Sequence, residues 1–263
     1  MTLPITISRA TSPEDFHQVA TLENRVFYNT PFSSIAFGPQ RGSDANIEER
    51  AKGLAKQGSV ATEGGVTKVI SRDENGEELI AGAAVWSFVV GRESEKSLQA
   101  DDKNEGQEEK EEDGAGEKKG SGWGIGANVR FCEDVFLVAD GHMVRSTKGR
   151  DYAKLAVLIV SPEHQRRGIG TRLLEAGLAG IDEMGLQCVL AASKEGLDLY
   201  KKFGFVEFEM MRLKLWKYEG GEEYKEEESH VVMRRPARGE KVDDRIALFL
   251  SSYDKQTWRK YSS

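Results

Sequence analysis

Val157-Leu-Ile-Val-Ser-Pro-Glu-His-Gln-Arg-Arg-Gly-Ile-Gly-Thr-Arg-Leu-Leu174 decides the fold class of this 263-residue chain. A continuous apolar run is stopped by Pro162. A basic turn with two glycines follows and opens into an amphipathic segment with Ile169, Leu173, Leu174 and Leu178 on one side. The order is buried strand, tight turn, helix. Such a junction aims unpaired backbone N–H groups at whatever lies before the helix, and Arg166 and Arg167 add positive charge there. An anion suits this place, a diphosphate above all. Gly168 would let a ligand approach the backbone without a Cβ in the way, and Gly170 would let the new helix pack closely. Thr171 adds a hydroxyl. The loop is not a P-loop, because the Gly-Lys-Ser/Thr ending is missing, and nothing in it points to Mg²⁺ or another metal.

Outward from this stretch the chain alternates strands and helices. Residues 3–9 alternate as a strand. Ser12-Pro13-Glu14-Asp15 opens a helix in which Phe16, Val19, Ala20, Val26 and Phe27 recur at helical spacing. Residues 28–43 read as a loop, and Ser43 to Lys56 as a second, more polar helix. Strands at 66–72 and 79–90 flank Asp73-Glu-Asn-Gly76, a hairpin turn. A helix is read over 128–146, with Phe131, Val135 and Val138 on one face. After the strand 152–160 come a helix at 168–184, a short strand at 187–191 and a helix at 195–203. Strands at 205–215 and 230–234 follow, with a terminal helix over 240–253.

Composition adds limits. Charged residues make up 31% and the hydrophobic set 38%, with a net charge of −7. Residues 92–119 and 219–230 each carry a net charge of about −5, so the rest of the chain is mildly basic. Both acidic runs read as solvated, disordered charge, and 91–122 as an insertion. Gly122-Trp-Gly-Ile-Gly126 has dinucleotide-fingerprint spacing but follows a linker instead of a strand, and is read as linker. Two cysteines, Cys132 and Cys188, sit in apolar contexts as reduced thiols. No secretory signal and no transmembrane run is visible, which places the chain in the cytoplasm by default over the nucleus. No basic stripe with interleaved aromatics argues for nucleic acid.

A second block, Leu190-Ala-Ala-Ser-Lys-Glu-Gly-Leu-Asp-Leu-Tyr-Lys-Lys-Phe-Gly-Phe205, makes a resemblance specific. Gln165, Gly168 and Gly170, followed at the right distance by Tyr200, Gly204 and Phe205, resemble the signature of the GNAT superfamily of acyl-CoA-dependent N-acyltransferases. The resemblance covers roughly 1–90 and 128–216. It implies an α/β fold with a mixed, mostly antiparallel sheet of six to seven strands, flanked by helices and splayed at the central strands. One domain would span 1–235, with 236–263 as an extension. It also implies acetyl-CoA as co-substrate. The amides and side chains of Gln165, Arg166, Arg167, Gly168, Ile169, Gly170 and Thr171 would hold the diphosphate. The backbone at Ile159 and Val160 would pair with the pantetheine arm, and an amide of the same strand would polarise the thioester carbonyl.

The reaction so implied is acetyl transfer to a primary amine by direct attack, the amine belonging to a small molecule or a protein. The protein would be a monomer or homodimer with no membrane partner. Tyr200 matches the family's proton donor to the departing thiolate, and a core role for its ring stands beside that one. Ser193 replaces an Asn common in relatives. It suits either a hydrogen bond to the pantetheine or the N-cap of the next helix. The strand 152–160 has no carboxylate to act as base, leaving Tyr152, Glu133, Asp134, His142 or a water chain. Tyr28, Asn29, Phe32, Trp86 and His142 are the candidates for lining the acceptor pocket. The missing carboxylate and the acidic insertion also allow a non-catalytic acyl-CoA-binding sensor.

Overall fold

The computed structural model describes residues 5–58, 64–72, 77–91 and 122–240. The hairpin turn at 73–76, nearly all of the acidic insertion and all but the first residue of the terminal helix expected at 240–253 lie outside them.

Seven strands form one sheet: β1 (Thr6–Arg9), β2 (Gly64–Arg72), β3 (Glu78–Val89), β4 (Tyr152–Val160), β5 (Gln187–Ser193), β6 (Val206–Leu213) and β7 (Glu228–Arg235). Their order is β1-β2-β3-β4-β5-β7-β6, and every neighbouring pair is antiparallel except β4 and β5. That is the mixed, mostly antiparallel sheet that the resemblance implies.

On one side, α1 (Pro13–Phe27) and α3 (Asp44–Gly58) bury Phe16, Val19 and Leu54 against Val66, Val85 and Ile159. Farther along that side, α4 (Val129–Cys132), a π-helical turn (Glu133–Leu137) and α5 (Val138–Thr147) cover Tyr152, Val189 and Val232. On the other side, α6 (Ile169–Glu183) and α7 (Leu197–Lys202) pack Leu173, Leu174, Leu178 and Tyr200 on Trp86, Leu155 and Leu190.

Local chemistry explains most boundaries. Ser12 caps α1 in a capping box, its hydroxyl accepting from the Asp15 amide while Asp15 accepts from the Ser12 amide. The expected loop 28–43 contains a further helix, α2 (Pro31–Phe37), whose Thr30 cap and Pro31 at the first turn repeat that grammar in seven residues. Helix 129–147 is present, yet Val138 is 46% exposed instead of sharing a face with Phe131 and Val135. The π-helical turn widens the repeat, so Phe131, Val135, Ala139 and Met143 form the buried stripe at intervals of four. The second acidic run, expected to be disordered, is ordered instead: the Gly221 amide donates to the Tyr218 carbonyl at 2.9 Å and the Tyr224 amide to the Gly221 carbonyl at 3.0 Å. Glu227 pairs with Arg212 and Lys214, and Glu228 begins β7. Both cysteines are buried free thiols.

Candidate active site

The site is built around a break between β4 and β5. The two strands pair only at Tyr152–Gln187, Ala153–Cys188 and Lys154–Val189. Beyond Lys154, β4 stays with β3 while β5 stays with β7, and a notch opens between them. A bulge begins where they part. Trp86 of β3 faces Leu155 and Val85 faces Val157, so Ala156 has no partner and is exposed. The extra residue flips the side-chain phase of β4. Leu155 lies on the α6 side before the bulge, and Leu158 and Val160 take that side after it, while Ile159 turns to α1.

The same alternation orients the amides. The Ser161 amide donates to the Ala81 carbonyl of β3 at 2.9 Å. Ile159, two residues back, therefore also turns its backbone groups to β3, whereas Leu158 and Val160 turn theirs into the notch. Of the two expected pantetheine partners, Val160 faces the notch and Ile159 is core, only 1% exposed.

Past β4, Pro162–His164 form a single 3-10 turn, and the Gln165 side chain donates to the Val160 carbonyl at 3.2 Å. Arg166 takes a left-handed conformation with φ 62°, and Gly168 another with φ 79°. Gly168 is the N-cap of α6 and uses no side chain to cap it. The first intrahelical bond runs from the Arg172 amide to the Gly168 carbonyl, so the amides of Ile169, Gly170 and Thr171 lack helical partners. A Cβ at Gly168 would meet nothing within 4 Å, so the space before these amides is open. Arg166 and Arg167 are exposed beside it. A diphosphate fits this cradle in charge, donor number and space. Gly170 lies 3.4 Å, counted from an added Cβ, from Leu199 of α7 and 3.9 Å from Val160. Its place is the seam joining α6, α7 and the notch.

Tyr200 is 9% exposed, with its ring edge-on to Phe205 at 5.8 Å. Burial, with the nearby Cys188 adding to it, pushes its phenol up to about 12. The group stays protonated at neutral pH and so keeps a proton to donate. Gly196 leaves room for the ring, since a Cβ there would fall 2.7 Å from Tyr200 Cε2. Ser193 does not cap α7. That helix starts at Leu197, its N-cap is Gly196, and the Ser193 hydroxyl is bound to Glu195, which helps hold that carboxyl below the usual range.

The remaining candidates scatter. Trp86 does not line an acceptor pocket: it is 4% exposed under α6. Tyr152 is 5% exposed, and burial, then Asp140, raise it to about 12, so it accepts no proton near neutrality. Asp134 accepts from the Tyr218 hydroxyl at 3.0 Å. Asp134 and His142 line a groove of about 380 Å³ along β6, two strands away from the notch. Glu133 is exposed, as are Tyr28 and Asn29, and Tyr28 lies under the Arg41 guanidinium at 4.1 Å. Phe32 alone reaches the site, through a residue that sequence reasoning passed over. His230 of β7 is the register partner of Ser193, and its ring lies 5.0 Å from that of Phe32. The signal available in sequence was one histidine between Glu228 and an apolar strand, which a surface reading equally explains.

The sequence pattern of the acetyltransferase (GNAT) domain matches residues 132–207, from α4 through β4, the α6 cradle and α7 to the start of β6. No curated protein matches the chain by sequence. Among solved structures, a mosquito arylalkylamine N-acetyltransferase-like 5b is similar, at 14% identity over 88% of this chain and 99% of that one, with a TM-score of 0.57. A Drosophila melanogaster polyamine N-acetyltransferase, described as forming N-acetylagmatine, is similar at 15% identity over 88% and 99%, with a TM-score of 0.55. At that identity the likeness is one of fold. Residues 132–207 thus match an acetyltransferase (GNAT) domain, and they sit in a splayed, mixed seven-stranded sheet of the same fold.

Proposed function

We propose that the protein transfers an acetyl group from acetyl-CoA to a primary amine within a ternary complex. The observation that carries this reading is the notch beyond Lys154–Val189, continuous with the open cradle at Gly168. Amides of residues 166–171 and the two arginines would hold the diphosphate. Val160 and Leu158 would hold the pantetheine as an added strand holds a sheet edge. An amide of β4 beside the bulge would polarise the thioester carbonyl. Tyr200, a permanent donor at neutral pH, would protonate the departing thiolate. Positioning supplies the rest, because two substrates held in register react as one. Formation of N-acetylagmatine by the Drosophila melanogaster polyamine N-acetyltransferase accords with this reading.

The test is thiol release from acetyl-CoA with simple primary amines, of small molecules and of peptides. Sustained release above spontaneous hydrolysis, together with an acetylated amine found by mass spectrometry, supports it. Binding of acetyl-CoA without transfer to any of them would favour a sensor.

A further inference from the structure

We propose that His230 is the general base that takes the proton from the acceptor amine. This role rests on the acetyl-transfer reading above and supplies the base that the strand 152–160 lacks.

Position is the first reason. His230 pairs in register with Ser193, at the end of β5 that has already parted from β4. Val231 and Met233 point to the α6 side, so His230 points with Val232 to the opposite face. That is the face of α2, where Phe32 covers the imidazole. His230 therefore stands one strand in from the notch, on the face opposite α6.

Bonding is the second reason. His230 Nδ1 is buried and has no hydrogen-bond partner, one of few buried side-chain polar atoms so placed among the described residues. Native structures leave few such atoms unpaired. The Glu228 carboxylate lies 3.9 Å from Nε2. Its charge favours the tautomer that keeps the proton on Nε2, which leaves the lone pair on Nδ1. Its register neighbours are Ser193 of β5 and Met211 of β6, and Phe32 of α2 lies on the ring; none of these three is charged. Glu195, in the turn after β5, is the second charge that the ring feels.

The third reason is the state of the ring. Burial lowers the His230 pKa below the ordinary imidazole value, and Glu195 offsets this in part. The ring is therefore neutral at pH 7. Glu228 shifts the other way, raised by burial and by Glu195.

The protons balance as follows. The ammonium gives one proton to Nδ1, and the imidazole becomes imidazolium. The amine lone pair forms the C–N bond while the C–S bond breaks. The thiolate takes the Tyr200 proton, and the second proton on nitrogen restores Tyr200. The imidazolium releases its proton to water, so each turnover frees one proton.

The experiment uses the full chain with acetyl-CoA, and 2-phenylethylamine and 1,4-diaminobutane as acceptor probes, reading kcat/KM from pH 5 to 10. His230→Gln should lower kcat/KM by about 10²–10⁴-fold at pH 7. The deficit should shrink toward pH 10, where an alkylamine of pKa ~10.4 arrives partly neutral. Glu228→Gln should keep the fold and move the acidic inflection to lower pH, because a charge favouring imidazolium is gone. Acetyl-CoA affinity should stay at the wild-type value in both. A His230→Gln rate equal to wild type, or a deficit constant across pH, would overturn the assignment while leaving acetyl transfer intact. If His230→Gln fails to fold, the Glu228→Gln inflection decides alone, and an unmoved inflection overturns the proposal. Wild type that binds acetyl-CoA and acetylates neither probe sinks the parent reading, and His230 with it.

Discussion

Gly177 of α6 lies against the indole of Trp86: a Cβ built on it would fall 2.6 Å from Trp86 Cε2, Cζ2 and Nε1. A glycine in the middle of a helix is therefore a contact residue, and it sets how closely α6 sits on β3. The Trp86 nitrogen is buried there without a partner. Gly177→Ala should destabilise the protein by about 1–3 kcal/mol through overpacking, although alanine favours a helix by up to about 1 kcal/mol. Trp86→Phe should relieve the clash, so the double variant should lose less than the two single losses combined. Urea denaturation of the four proteins in this cycle measures the coupling.

The cradle before α6 should tolerate no anion of its own. Gly168→Glu places bulk and negative charge in the open space in front of the Ile169, Gly170 and Thr171 amides. Calorimetric titration with acetyl-CoA should show binding in wild type and none in this variant. Gly168→Ala separates strain from occupancy. Its Cβ clashes with nothing, but a non-glycine residue at φ 79° costs about 1–2 kcal/mol. It should lower the melting temperature by a few degrees while retaining measurable affinity. Equal binding by wild type and Gly168→Glu would mean that the cradle is only a helix start.

Tyr200→Phe should retain the fold and acetyl-CoA affinity while lowering kcat by about 10²-fold. With its phenol raised to about 12, Tyr200 should produce no alkaline decline of kcat below about pH 10. Gly196→Ala offers an independent check, because its Cβ would push the Tyr200 ring edge. It should reproduce part of the kcat loss with the hydroxyl still present. Unchanged turnover in Tyr200→Phe would leave the ring a core residue packed on Phe205.

Acid should weaken the join between α1 and β2. Asp15 and Lys68 form a direct ion pair, each side chain 14% exposed. Burial alone would raise the Asp15 carboxyl, but its hydrogen bonds to Lys68 and to the Thr11 and Ser12 amides outweigh that and hold it at about 2. A depressed carboxyl contributes stability that is complete above its ordinary value of 3.8 and is lost as pH falls toward about 2. The contribution is roughly 2 kcal/mol at pH 7. Asp15→Asn should cost about that much at pH 7 and should flatten the stability loss between pH 4 and pH 2, as read by chemical denaturation at each pH.

Some of this was legible before any coordinates. The cradle was, because strand, proline, basic turn, glycine and helix are consecutive residues whose conformations local sterics dictate. Cap and proline signals at Ser12-Pro13 were legible for the same reason, and Thr30-Pro31 carries them too, in a segment too short for helical periodicity to show. The stripe of α4–α5 was misread at Val138, because a π-helical turn has no sequence signature and shifts every later residue. Trp86 illustrates a different limit. An aromatic on a strand near the site faces one side or the other of the sheet, and which helices cover that side is decided by contacts far apart in sequence.

Sequence by itself determined what depends on neighbours along the chain: the element order, the φ-permissive glycine at 168, the basic turn, and the two linked blocks that mark the superfamily. Tertiary structure alone decided what depends on residues far apart. One such feature is the parting of β4 from β5 after Lys154–Val189, where β4 continues with β3 and β5 with β7. The meeting of Phe32, Ser193, Glu195 and His230 joins segments up to about two hundred positions apart. Backbone conformation is set by contacts within a few residues, whereas a site is set by which surfaces the sheet brings together, and no local pattern encodes that.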